Sequence, residues 1–83
     1  MDKLKIYPNP ATDKVSLEFT VKKSTMVKLI LYNELGKKVK SQNKKVITGL
    51  NQISINTQNI KSGIYFVSLE IDGEIVTKQI VKQ

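Results

Sequence analysis

Apolar and polar residues alternate along most of the chain. Residues 15–21 place every second side chain on one face, and residues 27–31, 53–56 and 65–71 repeat this pattern. Successive side chains of a β-strand point to opposite faces, so such runs predict half-buried antiparallel strands. No window shows apolar residues at helical spacing, and no helix is predicted.

Turn signals separate these runs. The stretch NELGKK predicts a turn in which Gly36 takes a positive φ, between strands of about 26–32 and 37–41. Asp72-Gly73 predicts a tight hairpin, and residues 48–51 (TGLN) and 59–63 (NIKSG) predict two further breaks. The predicted fold is therefore all-β: an antiparallel β-sandwich of about seven strands with immunoglobulin-like or Greek-key wiring, forming a single domain over residues 1–83.

Two prolines bracket Asn9 near the start of the chain. Pro8 and Pro10 fix φ and have no N–H group, so the segment cannot lie in a central strand. It predicts a stiff corner between a first strand of about 3–7 and a second of about 14–21.

The charge is strongly basic but comes from one residue type. The net charge of +7 arises from fourteen lysines, and the chain has no arginine. Bidentate recognition of phosphate or guanine depends on arginine, so specific nucleic-acid binding is not expected. Lysines also keep strands soluble and protect sheet edges. The chain has no apolar run of membrane-span length and no signal peptide. If the protein reaches the cell exterior, its export signal is expected elsewhere in a longer parent protein.

Candidate catalytic chemistry is sparse. The chain lacks His and Cys, and its seven carboxylates are scattered. A calcium site at residues 72–74 would have too few ligands. No glycine-rich phosphate loop or nucleophile elbow is present. We therefore expect no enzyme activity, no cofactor and no metal site.

The stretch GIYFV differs from the other strands because both of its faces are apolar. It precedes a last strand that continues almost to residue 83. Such a strand is expected either to be buried as the closing strand of the sandwich or to stay available as a docking edge.

Five segments together form a recognisable set: residues 8–19, 31–39, 49–57, 59–67 and 78–83. In this order and spacing they resemble the C-terminal sorting domain of type IX secretion cargo, over about residues 6–83. The positions matched to the family and taken as the candidate partner-recognition motif are Pro8, Asn9, Pro10, Gly36, Gly63, Tyr65, Lys78, Ile80, Val81 and Lys82.

The resemblance implies a defined role. Family members lie at the C-terminus of larger proteins of Bacteroidota-type bacteria. Their cargo passes through the periplasm, and the type IX translocon at the outer membrane recognises the domain. A sortase-like peptidase commonly removes it, and the cargo is released or joined to surface lipopolysaccharide.

Within that resemblance, we expect the last strand and the proline corner to form the recognised surface. Gly36 and Gly63 are expected to serve backbone geometry instead. The alternative function is an immunoglobulin-like accessory module that binds carbohydrate or a surface. Weak edge-to-edge self-association also stays open, because the last strand is uncapped.

Overall fold

The structure is a computed structural model that describes residues 4–8, 11 and 13–83. It has two antiparallel sheets. The first contains β1 (Lys5–Tyr7), β2 (Lys14–Val21) and β5 (Gly49–Asn56), in the order β1-β2-β5. The second contains β3 (Thr25–Asn33), β4 (Lys38–Val46), β6 (Gly63–Ile71) and β7 (Glu74–Lys82), in the order β4-β3-β6-β7.

The chain crosses between the sheets three times. It leaves β2 for the β3–β4 hairpin, returns to pair β5 with β2, and crosses again to pair β6 with β3. These crossovers produce the Greek-key wiring of an immunoglobulin-like sandwich. The all-β, seven-stranded prediction is confirmed. Among the described residues no helix is present that could cross a membrane.

The core lies between the sheets and is built by the alternating residues. The inward side chains of β2, β3, β5 and β6 are buried, as the period-two pattern predicts. Ser16 and Ser68 are exceptions, because the pattern places them on the outer faces and yet both are buried. The buried apolar set is Ala11, Val15, Leu17, Phe19, Val21, Val27, Leu29, Leu31, Val46, Ile53, Ile55, Tyr65, Val67, Leu69, Ile71 and Ile80.

Two predicted turns form as expected. The Asn33 side-chain oxygen accepts hydrogen bonds from the backbone N–H groups of Leu35 (3.0 Å) and Lys37 (2.9 Å), which closes the turn around Gly36. Asp72 and Gly73 both have positive φ, 49° and 83°, and join β6 to β7 as a two-residue hairpin.

Three boundaries differ from the prediction. The strand predicted at 37–41 is β4 and continues to Val46, because backbone pairing with β3 extends through residues without an alternating pattern. The break predicted at 48–51 contracts to residues 47–48. There the Asn51 side chain donates to the Ile47 carbonyl (2.7 Å) and accepts from the Ile47 N–H (3.2 Å). The first strand, predicted at about 3–7, is β1 and begins at Lys5, so Leu4 precedes it; residue 3 lies outside the described residues.

Candidate functional site

The last strand is an edge of the four-stranded sheet. β7 pairs with β6 along its whole length, from Ile71 opposite Glu74 to Gly63 opposite Lys82. No other strand of the described chain lies on its far side. The sequence left two alternatives, a buried closing strand or a docking edge, and the structure places β7 at an edge.

The register determines which backbone groups of β7 point away from β6. In an antiparallel pair, residues alternate between those that exchange both hydrogen bonds and those that exchange none. Ile71 and Glu74 close a two-residue hairpin and form an exchanging pair. Counting along β7, the N–H and C=O groups of Ile75, Thr77 and Gln79 therefore point outward from the sheet.

Ala11 occupies the continuation of this outer edge. Its N–H donates to the Val81 carbonyl at 2.7 Å, and its carbonyl accepts from the Gln83 N–H at 2.8 Å. This is a parallel bridge between Ala11 and Lys82. The segment after the proline corner thus binds the end of β7 as a single added residue. We call β7, Gln83 and Ala11 the C-terminal edge.

The described residues on either side of the proline corner are hydrogen-bonded to the first sheet or to the residue that follows it. Before it, the Gln52 side chain donates to the Tyr7 hydroxyl at 2.7 Å. After it, the Thr57 N–H donates to the Asp13 carbonyl at 2.8 Å. Pro8 lies in an exposed bend, and the Tyr7-Pro8 peptide bond is cis. Asn9 and Pro10, both predicted site residues, lie outside the described residues.

The predicted residues of β7 differ in exposure: Lys78, Ile80 and Lys82 lie on the core-side face of the strand, and Val81 lies on the other face. The side chain of Ile80 is fully buried in the core, and Lys82 is also buried. Lys78 is exposed, and Val81 is 38% exposed. Only Lys78 and Val81 of these four therefore present side chains to a partner, whereas Ile80 contributes to the core that holds the strand.

The remaining predicted residues serve the backbone and the core. Tyr65 is buried, and its hydroxyl donates to the Lys61 carbonyl at 2.7 Å, which holds the loop before β6. Gly63 has φ +150°, a conformation that side chains disfavour, although nothing lies within 4 Å of an added Cβ. Glycine is therefore favoured at position 63 by the backbone conformation and not by a lack of space. Gly36, with φ +82°, lies in the β3–β4 turn.

Family-matched segments meet at one end of the sandwich. Asn33, beside the β3–β4 turn, pairs with Tyr65, and Tyr65 pairs with Ile80 near the end of β7. In the other sheet, Lys14 pairs with Asn56 near Ala11. Segments that are far apart in sequence thus come together at this end of the sandwich. Some of them border the C-terminal edge, and the others lie one or two strands away from it.

The two apolar faces of GIYFV have separate surroundings. Tyr65 and Val67 point into the core. On the outer face, Phe66 lies opposite Tyr32, and Ile64 lies opposite Val81. This half-exposed apolar row adjoins the C-terminal edge, so the second face of the strand is also packed.

Sequence reasoning missed two residues of this region. Ala11 and Thr57 are both fully buried. Ala11 belongs to no alternating run, whereas Thr57 continues the spacing of Ile53 and Ile55 and was missed because it is polar. A small residue directly after a proline corner was the only local signal for Ala11. Its partner is 71 positions away in sequence (82 − 11), so local pattern could not reveal the bridge.

Comparison with known proteins identifies the family. A family model described as secretion system C-terminal sorting domain matches residues 5–83. A search of curated proteins found no match. Among the described residues, no group of three or more His, Cys, Asp or Glu side chains lies close enough together to hold a metal ion.

Proposed function

The chain belongs to the secretion system C-terminal sorting domain family over residues 5–83, and from this premise we propose that its C-terminal edge is the surface that the type IX translocon recognises. The family assignment itself makes the chain a type IX sorting signal. Such a domain directs an N-terminally fused cargo across the outer membrane to the cell surface or the extracellular space.

The observation that carries the proposal is the bridge between Ala11 and Lys82. It joins Ala11, which follows the proline corner, to the terminal strand, so that the first and the last matched segments share one edge. The rest of that edge presents outward backbone groups at Ile75, Thr77 and Gln79. An extended segment of a partner can add to such an edge through main-chain hydrogen bonds, with side-chain contacts supplying specificity.

The composition of the two outer strands of this sheet supports the same assignment. β4, at the opposite edge, carries four lysines in nine residues, a pattern that opposes strand addition. β7 carries two lysines, and one of them, Lys82, is buried. The less protected edge is therefore the one that holds the terminal motif.

The later steps belong to the same proposal. The cargo passes through the periplasm before the translocon recognises the domain. A sortase-like peptidase then removes the domain, and the cargo is released or attached to surface lipopolysaccharide. The domain acts as a recognition signal and has no catalytic activity of its own.

The test is export of a reporter. A fluorescent protein with an N-terminal export signal and this chain at its C-terminus should appear outside a type IX-secreting cell. Deleting residues 79–83 should retain the reporter in the periplasm. Normal export of the deletion would contradict the proposal. An accessory binding module would instead bind glycans or surfaces and would not depend on the last strand for export.

A further inference from the structure

A second site lies on the opposite side of the sandwich from the C-terminal edge. β4 and β5 are the outer strands of their sheets on this side, and a cleft of about 340 Å³ opens between them. Small-molecule pockets are typically of this size or larger. We call it the lateral cleft. It is lined by Leu29, Leu31, Lys40, Ser41, Gln42, Ile55 and Asn56.

The floor of the lateral cleft is apolar. Leu29, Leu31 and Ile55 all belong to the buried core and line the cleft with aliphatic carbon. These three side chains are only 1–5% exposed, so an aliphatic chain of a few carbons would gain mainly by removing its own apolar surface from water, at about 25 cal/mol per Å².

Gln42 adds a hydrogen-bond donor to this floor. It lies opposite Leu29 in the β3–β4 pair, so its side chain points to the core side of the sheet. Its Nε2 atom is buried and has no hydrogen-bond partner among the described residues. Buried polar groups are rarely left unpaired, and such a donor favours a ligand with an acceptor oxygen.

Lys40 adds a positive charge at the rim. It stands two residues before Gln42 on the same side of β4, and its ammonium donates to the Asn56 carbonyl at 2.6 Å. That bond holds the ammonium across the mouth of the cleft and uses one of its three N–H groups. β4 has no acidic residue, and neither does β5, so nothing on these strands neutralises the charge.

An apolar floor, a buried amide donor and an ammonium at the rim together match one ligand chemistry. We propose that the lateral cleft binds a carboxylate carried on a short aliphatic chain. The chain lies over Leu29, Leu31 and Ile55. The carboxylate accepts hydrogen bonds from Lys40 Nζ and from Gln42 Nε2, whose amide rotates toward the cleft to reach it because this nitrogen is buried in the free protein. A free aliphatic carboxylate and a peptide ending in an aliphatic residue both supply this chemistry.

The alternative is that Lys40 only protects an edge strand and the cleft holds solvent. Lys44 provides a matched control. It carries the same charge on the same strand and lies opposite Val27, on the same side as Gln42, but outside the cleft lining. An edge-protection role predicts the same behaviour from Lys40 and Lys44, whereas a carboxylate site requires Lys40 alone.

The experiment titrates the isotope-labelled chain with octanoate and with N-acetyl-alanyl-leucine, following backbone and Gln42 side-chain amide NMR signals. Octan-1-ol serves as the uncharged comparison. We expect saturable shifts centred on residues 40–42 and 55–56. The tighter of the two carboxylates identifies the source of the ligand.

Three variants decide the outcome. Lys40→Gln should weaken carboxylate binding about tenfold, as expected for the loss of a charge-assisted hydrogen bond. Lys44→Gln should change binding less than about twofold. Gln42→Leu should weaken binding while the domain stays folded by thermal unfolding. Equal binding of octan-1-ol, equal effects of the two lysine variants, or no saturable shift with either carboxylate would overturn the proposal.

Discussion

Ala11 and Lys82 form a parallel bridge, with the Ala11 N–H 2.7 Å from the Val81 carbonyl and the Ala11 carbonyl 2.8 Å from the Gln83 N–H. The segment after the proline corner thereby binds the last residues of the chain. A strand end that would otherwise fray is held on both sides, by β6 and by Ala11. The predictions below concern this edge, the turn that precedes β6, and the lateral cleft.

Hydrogen exchange should alternate along β7. The amides of Val76, Lys78 and Ile80 point toward β6 and should exchange slowly, whereas those of Ile75, Thr77 and Gln79 point outward and should exchange quickly. The Gln83 amide should be protected by Ala11 despite its position at the chain end. Amide exchange measured residue by residue by NMR checks this, and rapid exchange at Gln83 would show that the bridge does not persist in solution.

Proline substitutions in β7 should distinguish the role of its outward N–H groups in export from the role of its inward N–H groups in stability. Thr77→Pro removes an outward N–H group, so the free energy of unfolding should change little while export of a fused reporter falls. Val76→Pro removes an N–H group that pairs with β6 and leaves a carbonyl without its partner. This should cost about 2–4 kcal/mol. Thermal unfolding and the export assay are measured in parallel, and unimpaired export of Thr77→Pro would argue against strand addition.

Ile80→Ala should act through stability. The side chain is fully buried, so truncation leaves a cavity and should lower the free energy of unfolding by about 2–5 kcal/mol. Val81→Ala removes a partly exposed side chain and should cost less than about 1 kcal/mol. Denaturant unfolding of both variants checks the comparison. Equal losses would contradict the assignment of these neighbours to opposite faces.

Gly63→Ala should destabilise the domain by about 1–3 kcal/mol, because φ +150° is strained for any residue with a Cβ. Steric contact is not the cause, since the space around an added Cβ is open. Ser62→Ala, one residue earlier, serves as the control and should be close to neutral. A neutral Gly63→Ala in denaturant unfolding would mean that the strand start relaxes to an extended conformation.

Gln42→Leu should stabilise the domain. It replaces a buried donor that lacks a partner with an apolar group of similar size, and removing such a donor is worth about 1 kcal/mol. For a domain of this size, the thermal midpoint should rise by about 4–8 °C. Gln52→Leu, which removes a paired amide, should give no such increase. A lower midpoint for Gln42→Leu would show that its amide has a stabilising partner.

Local pattern predicted the strands well where one face is buried. The residues of β2 and the inward face of β6 were correct, because a one-residue slip would move every apolar side chain into water. β4 was predicted too short because its stretch KVKSQNKKV has no alternation, and its pairing depends on β3. The hairpin at Asp72-Gly73 was correct because two positive φ values require those residue types locally.

The candidate site was less accessible to sequence reasoning. The resemblance named the segments proposed for recognition, but it could not separate Ile80, which lies in the core, from Val81, which lies on the surface. Alternation with a period of two places neighbouring residues on opposite faces of a strand, but it does not show which of the two faces is covered by the rest of the protein. Ala11 and Gln42 were not identified at all, because each acquires its role from a strand far away in the chain.

The sequence alone was enough to predict the strands and the turns, since these depend on side chains that are near one another along the chain. It was also enough for the net charge, which is a sum over residues, and for the family, which depends on the order of short segments. Folding alone placed β7 at an edge, joined Ala11 to Lys82, and opened a cleft beside Gln42. Those features depend on which strands become neighbours. The order of the strands is decided when the two sheets bury their apolar faces against each other. It brings together residues that are far apart along the chain, and their separation in sequence does not predict their distance in space.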